Sequence, residues 1–437
     1  MSEPLRSNSA EISEQTAAGT PDDAPLLEVE QLKKHFPVNT GFLSSIQFDR
    51  EGLMPFELDD SVVRAVDGVS FRLAHGETFG VVGESGCGKS TLARTLLGLE
   101  KPTDGTIRFN GNDVTTLTSE QETWFRENVQ MVYQDPQSSL NPRRKVGSII
   151  TDPLEGAGWD EPDQRERALQ LLEDVGLKRE YYSRYPHECS GGQRQRINLA
   201  RALSINPDLV VADEPVSGLD TSVQAQILEL MNDLQAEYNL TYLVITHDLG
   251  VIRNIADRVA VMYVGDFVEL GSSERLFTNP HHPYTRELLG AVPNPDPEAP
   301  AAMSRLVGDV PSPENPPTGC KFHTRCPEVI TPEGFDRDEY RRLAEFRQAL
   351  IIRKVDETTP EEIIDTYFWD GVPDTAEAEI REAATDAAAE NWNDAEAALA
   401  QFETSCMSET PSSKEISGPN HHSACHLDIT DRERFSR

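Results

Sequence analysis

No run of eighteen apolar residues occurs anywhere in the chain, so no stretch has the length and character of a membrane-crossing helix. The basic and apolar regions of a secretory leader are also missing. The opening "MSEPLRSNSAEISEQTAAGTPDDAP" is polar and acidic, and residues 1–24 read as a disordered tail. Basic charge is scarce: 40 Lys and Arg stand against 75 Asp and Glu, a net charge of −35. That balance disfavours DNA or RNA as a partner, because phosphate backbones select basic faces. It equally disfavours an electrostatic hold on anionic lipid. Such an acidic surface is a solubility device that halophiles use widely, and a halophilic source is the expectation. The six cysteines include no CxxC pair. In the cytoplasmic setting expected here, structural disulfides are rare, which turns any cysteine cluster toward metal or redox chemistry. What remains is ample for a core: 37% of the 437 residues are hydrophobic, enough for one large domain with appendages.

The clearest chemistry lies in "FGVVGESGCGKSTLARTLLGLEKP", residues 79–102. An apolar strand runs into a glycine-rich loop and then into a helix-favouring stretch. Gly83, four further residues, then Gly88-Lys89-Ser90 form the phosphate-loop pattern. Glycines let successive backbone N–H groups turn inward around phosphate oxygens, and the helix that follows points its positive end at the same charge. Lys89 is placed to reach the β- and γ-phosphates and Ser90 to coordinate Mg²⁺. Gly83, Glu84, Ser85, Gly86, Cys87, Gly88, Lys89, Ser90 and Thr91 are therefore the expected nucleotide contacts. Cys87 reads as a small spacer rather than a redox switch.

A second apolar strand, in "NPDLVVADEPVSGLDTS" (206–222), ends at Asp213-Glu214. After such a strand an aspartate can hold Mg²⁺ through water, and the neighbouring glutamate can polarise the attacking water as a general base.

"ECSGGQRQRINLARAL" (188–203) resembles the signature motif of ATP-binding cassette (ABC) ATPases. Cys189 replaces the usual leucine, while Ser190, Gly191, Gly192 and Gln193 are intact. This is another anion site at a helix N-terminus. The resemblance implies that the motif faces the γ-phosphate held by a second subunit, so two such domains must pair head to tail. It further implies that Gln134 is the Q-loop glutamine, acting at Mg²⁺ and the water, that Asp220 closes the "SGLD" D-loop, and that His247 is the switch histidine on the γ-phosphate. Phe36 is the expected adenine-stacking aromatic, with His35, or no stacking at all, the weaker alternative. The likeness covers about residues 25–271. Alternating strand-like and helix-like runs agree with it: an α/β phosphate-loop core, a smaller β subdomain, and a mostly helical subdomain near 135–195.

Beyond that region, "HPYT" (282–285), together with "DPQSSLNPR" (135–143), is similar to the oligopeptide/dipeptide importer subfamily and its C-terminal extension. The resemblance implies two ATPase chains, of one kind or two, beneath two membrane permeases on the cytoplasmic face of the membrane. An extracytoplasmic solute-binding protein feeds the permeases. Di- or oligopeptides are the expected cargo; nickel or another small solute, and a soluble non-transport ATPase, are the alternatives.

Two cysteines sit close together in "GCKFHTRCP" (319–327), and Cys425 in "SACHL". From spacing alone, Cys320, Cys326, Cys406 and Cys425 could equally be buried spectators. The subfamily resemblance implies a [4Fe–4S] cluster on these four, with Zn²⁺ as the second choice. His323, His421, His422 and His426 rank as bystanders. The extension is expected over 272–326 and 406–437. Between its parts, 327–405 is an acidic insertion with 21 Asp and Glu against 7 Lys and Arg. Its Ala/Glu-rich end, 376–402, suggests a helical hairpin.

Overall fold

The computed structural model describes residues 24–38, 62–135, 139–291, 308–416 and 420–427. The tail expected over 1–24 falls almost wholly outside this set.

The nucleotide-binding half is built on two sheets. Leu27–Pro37 (β1) pairs antiparallel with Val62–Leu73 (β2) and with Asp104–Phe109 (β4). A short strand, Asn112–Asp113 (β5), completes this smaller sheet. The larger sheet is parallel at its centre. Arg258–Tyr263 (β9), Thr78–Val82 (β3), Thr241–Thr246 (β8), Leu209–Asp213 (β7) and Val129–Val132 (β6) lie side by side in that order. These strands are continuous apolar runs because both faces are covered. Val81, Val211 and Ile245 join one core cluster, shared with the small sheet and with Lys89–Leu96 (α1). Val82, Ala212 and Val244 join the other, which extends into the helical region.

Asp266–Ser272 (β10) adds antiparallel to β9. The C-terminal strands His422–Ser423 (β12) and Lys414–Glu415 (β11) then extend the same sheet. The chain's end is thus stitched onto the nucleotide-binding core.

Ser119–Asn128 (α2) starts at a capping box between Thr118 and Gln121. The helical region contains Val146–Gly156 (α3), Glu161–Asp174 (α4) and Gly191–Ala202 (α5), and Thr221–Tyr238 (α6) packs beneath the large sheet. Leu249–Ile255 (α7), Ser273–Thr278 (α8) and Pro283–Gly290 (α9) lead into the extension.

The acidic segment is more than a hairpin. The Ala/Glu-rich stretch does form two helices, Glu377–Ala388 (α12) and Trp392–Leu399 (α13). Two further helices precede them: Arg337–Ile351 (α10), capped by Asp336 and Glu339, and Pro360–Tyr367 (α11), capped by Thr359 and Glu362. Tyr340, Leu343, Phe346, Ile363, Ile380 and Leu399 are fully buried and belong to the large core cluster. Charge faces water while a spaced apolar stripe packs inward, the pattern of a folded amphipathic bundle. A short helix, Ser405–Ser408 (α14), returns the chain to the cysteine segment.

Candidate functional site

Parallel register sets the site. Val82 pairs with Thr246, Asp213 with Ile245, and Val132 with Ala212, so β3, β8, β7 and β6 end along one edge. The segments leaving those ends carry the phosphate loop, His247, Glu214 and Gln134. Ligands of open α/β sheets gather at this carboxyl edge.

Two glycines in the loop have no substitute. A Cβ on Gly83 would lie 2.2 Å from the Met262 carbonyl oxygen. Gly88 has φ +108°, and a Cβ there would lie 1.9 Å from the Ala65 carbonyl. Lys89, almost fully buried, donates from Nζ to the carbonyls of Gly83 and Glu84 at 2.8 Å each. Its ammonium is thereby fixed inside the loop's curve, where phosphate oxygens would converge. Ser85, Gly86 and Ser90 are exposed at the rim, and Thr91 is half-buried. Cys87 is buried beside Lys89, and burial pushes its thiol upward, away from the reactive thiolate.

Ser90 Oγ donates to Asp213 Oδ1 at 3.4 Å. Burial raises the Asp213 carboxyl, so this group gains from a nearby cation. That chemistry fits Mg²⁺ held by Ser90, Asp213 and Gln134, where the metal would neutralise phosphate charge.

Glu214 has φ +47°, a left-handed conformation unusual for a non-glycine residue, held by its N–H bonding to the Ile245 carbonyl at 2.7 Å. Its carboxylate accepts from Gln134 Nε2 at 2.7 Å and from His247 Nδ1 at 2.7 Å. Desolvation works to raise this carboxyl. The bonds from His247, Ser217 and Gln134 outweigh it and hold the group below its usual range. The carboxylate is therefore ionised and aimed, and so arranged it can accept a proton from water.

Phe36 is half-buried with the Lys34 ammonium 4.6 Å from its ring centre. His35 is engaged elsewhere, 2.9 Å from Asp67, which leaves Phe36 the better stacking surface.

Ser190 caps α5, accepting from the Gln193 N–H while the Gln193 side chain accepts from the Ser190 N–H. Gly191 and Gly192 lie against Leu219 and Val223 and admit no Cβ without displacement. Asp220 is exposed at the start of α6. Ser190 and Asp220 thus face outward, available to a second molecule. Cys189 is buried, which the sequence's departure from leucine at this position accommodates.

Two of the four C-terminal cysteines, Cys320 and Cys406, meet through the backbone. The Cys320 N–H donates to the Cys406 carbonyl at 2.9 Å. Burial pushes the Cys320 thiol up to about 12, with Cys406 and Cys425 adding to the effect. Cys326 is raised by burial and by Cys320, Cys425 and Cys406, and Cys406 by burial and by Cys425. None of the six cysteines is in a disulfide. Among the described residues no three His, Cys, Asp or Glu side chains converge closely enough to hold a metal ion, so neither the [4Fe–4S] cluster nor the Zn²⁺ alternative finds support there. His323 bonds the Tyr340 hydroxyl at 2.8 Å, and His421 bonds Glu269 at 2.8 Å.

Three residues important to this architecture escaped sequence reasoning. Glu269, fully buried, accepts from the N–H groups of His281 and His282 at 2.7 Å each as well as from His421. Tyr284 accepts the Glu84 N–H at 2.9 Å. Arg325 forks onto the Glu84 carboxylate at 2.7 and 3.0 Å. The available signal for Arg325 was a charged residue set between two cysteines in "GCKFHTRCP".

The sheet edge, phosphate loop and signature helix together define an ABC-type nucleotide-binding domain. The ABC transporter family matches residues 66–217, and the oligopeptide/dipeptide transporter C-terminal region matches 268–331. A domain of unknown function matches 333–419, the acidic insertion and its return. The chain is 51% identical to the oligopeptide transport ATP-binding protein AppF of Bacillus subtilis, over 69% of its own length and 89% of that protein. It is 48% identical to the dipeptide transport ATP-binding protein DppF of Escherichia coli, over 69% and 86%. Among solved structures it is similar to cbiO1 of Clostridium perfringens, at 25% identity and a TM-score of 0.49, over 58% of this chain and 91% of that one. The chain belongs to the family of ABC transporter ATP-binding subunits of the oligopeptide/dipeptide type, and it is an ATPase.

Proposed function

We propose that this chain powers import of di- or oligopeptides by binding and hydrolysing ATP between two paired nucleotide-binding domains. The observation that carries the reading is the clamp on Glu214. A Q-loop glutamine and a switch histidine both hold the carboxylate next to the phosphate loop. In this reading Lys89 and the loop amides bind the phosphates, Ser90, Asp213 and Gln134 hold Mg²⁺, and Phe36 stacks on adenine. Glu214 takes the proton from the attacking water while His247 and Gln134 orient it. Ser190, Gly191, Gly192, Gln193 and Asp220 complete the site of the opposing domain. ATP closes the pair and hydrolysis reopens it, a population shift that moves two permease subunits on the cytoplasmic face of the membrane. An extracytoplasmic binding protein delivers the peptide. No helix among the described residues is long and apolar enough to cross a membrane, which suits a subunit docked on permeases. The surplus of acidic residues suits work at high salt.

The same proposal assigns Cys320, Cys326, Cys406 and Cys425 to a [4Fe–4S] cluster that pins the extension. Support comes from the count of four cysteines in the C-terminal part and the likeness of their pattern to the subfamily, while among the described residues no three potential ligands converge. The cluster's role in this reading is structural.

The test of the transport reading is ATPase activity of the chain co-expressed with its permease subunits and reconstituted in vesicles. Stimulation by binding protein loaded with a tripeptide supports peptide import. Stimulation by nickel-loaded binding protein in place of peptide shifts the cargo. Purification without any integral membrane subunit points to a soluble ATPase.

A further inference from the structure

Glu84, the second residue of the phosphate loop, is held at three points. Its carbonyl accepts from Lys89, its N–H donates to the Tyr284 hydroxyl, and its carboxylate receives both guanidinium arms of Arg325. The first contact is internal to the loop. The other two come from the C-terminal extension, 200 and 241 residues further along the chain. Arg325 is itself nearly buried, with a side-chain exposure of 5%, and its guanidinium also reaches the Tyr263 hydroxyl at 3.4 Å. Behind it, Tyr263, Tyr284 and Phe322 pack ring against ring with centroids 4.6 to 5.3 Å apart. Directly before Phe322, Lys321 bonds Asp67, Asp266 and the Val264 carbonyl at 2.8 to 3.0 Å. The cysteine-bearing segment is thus bolted to the core in two places, and one bolt grips the nucleotide loop.

We propose that Arg325 is a positioning residue for ATP binding, through which the cysteine-bearing extension sets the shape of the phosphate loop. A paired, largely desolvated guanidinium–carboxylate fork fixes orientation as well as distance. With the fork in place, the loop amides are preorganised for phosphate. Without it, the loop must be ordered at the expense of binding. The proposal rests on the nucleotide-site reading of 83–91, and on neither the cargo nor the cluster.

The experiment measures equilibrium binding of a fluorescent ATP analogue, and kcat and KM for ATP, on the full chain. The variants are Arg325→Ala, Arg325→Lys, Glu84→Gln, the Arg325→Ala/Glu84→Gln double variant, and Lys321→Ala. Arg325→Ala is expected to weaken ATP binding about tenfold, with the loss falling on KM rather than on kcat. Arg325→Lys restores the charge without the fork and recovers part of the loss. The double variant binds no worse than either single one, because both remove the same interaction. Lys321→Ala loosens the same segment without touching Glu84, so its KM stays near the parent value. The proposal is overturned by unchanged affinity in soluble Arg325→Ala and Glu84→Gln, by losses that add in the double variant, or by an equal effect of Lys321→Ala. Should Arg325→Ala fail to fold, Glu84→Gln, which keeps the side-chain shape, compared with Lys321→Ala decides the matter. Loss of nucleotide binding by the parent chain itself would instead overturn the ATPase reading.

Discussion

The backbone N–H of Cys320 donates to the carbonyl of Cys406 at 2.9 Å, across the whole acidic insertion. Gly319, beside it, has φ +67°, and a Cβ there would lie 2.6 Å from the same carbonyl. The insertion therefore leaves and rejoins the extension at one point, and Cys406 meets Cys320 there despite its distance in sequence. Cys406→Ser is expected to lower iron and acid-labile sulfide in protein purified without oxygen, whereas Cys87→Ser leaves both unchanged. Parent protein free of iron and sulfide would withdraw the cluster.

The Glu269 carboxylate, buried beneath the extension, predicts an acid-sensitive joint. Burial works to raise this group, but His421 and the His281 and His282 amides outweigh burial and hold its folded-state value below the ordinary one. A depressed carboxyl stabilises the fold above its unfolded value, about 4.3. That contribution is lost as pH falls through the lower folded value. Thermal melting followed downward from pH 5 is expected to show a fall that Glu269→Gln flattens, with the variant less stable at pH 7. Parallel melting curves for the two proteins would contradict this.

Gly88→Ala places a methyl group 1.9 Å from the Ala65 carbonyl on a backbone that only glycine adopts readily. The loop must distort, and ATP affinity is expected to fall by at least about a hundredfold. Lys89→Ala removes the ammonium while leaving the backbone path intact, and a comparable loss of affinity is expected. Normal binding by Lys89→Ala would remove the phosphate-loop assignment.

Phe346 is fully buried in the insertion, with the rings of Tyr367 and Phe368 at 5.2 and 5.8 Å. Phe346→Ala is expected to cost about 3–5 kcal/mol of local stability. Denaturation followed by fluorescence of Trp369 and Trp392 measures it. A change within experimental error would mean that helices α10 to α13 are not a packed bundle.

The nucleotide site was legible in sequence because its parts are local: a glycine loop between strand and helix, a capped signature helix, and acids at a strand end. What escaped was set by tertiary packing. Helices α10 and α11 were missed because their apolar stripes are thin among many charges, and only the Ala/Glu-rich α12 and α13 announce themselves by propensity. Strand β1 carries little signal of its own, because "LEVEQLKKHFP" mixes charge with its apolar positions at a half-exposed sheet. Nothing local marks Arg325 and Glu269, whose partners lie 241 and 152 residues away.

ATP turnover by Glu214→Gln tests the account most directly. Gln134 and His247 converge on this one carboxylate, and the amide keeps its shape while losing its basicity. The variant is expected to bind ATP with near-parent affinity, to lose roughly 10²–10⁴ in kcat, and to accumulate as an ATP-bound pair on size exclusion. Brisk hydrolysis by Glu214→Gln would contradict the assignment of Glu214 as the base on which the mechanism depends.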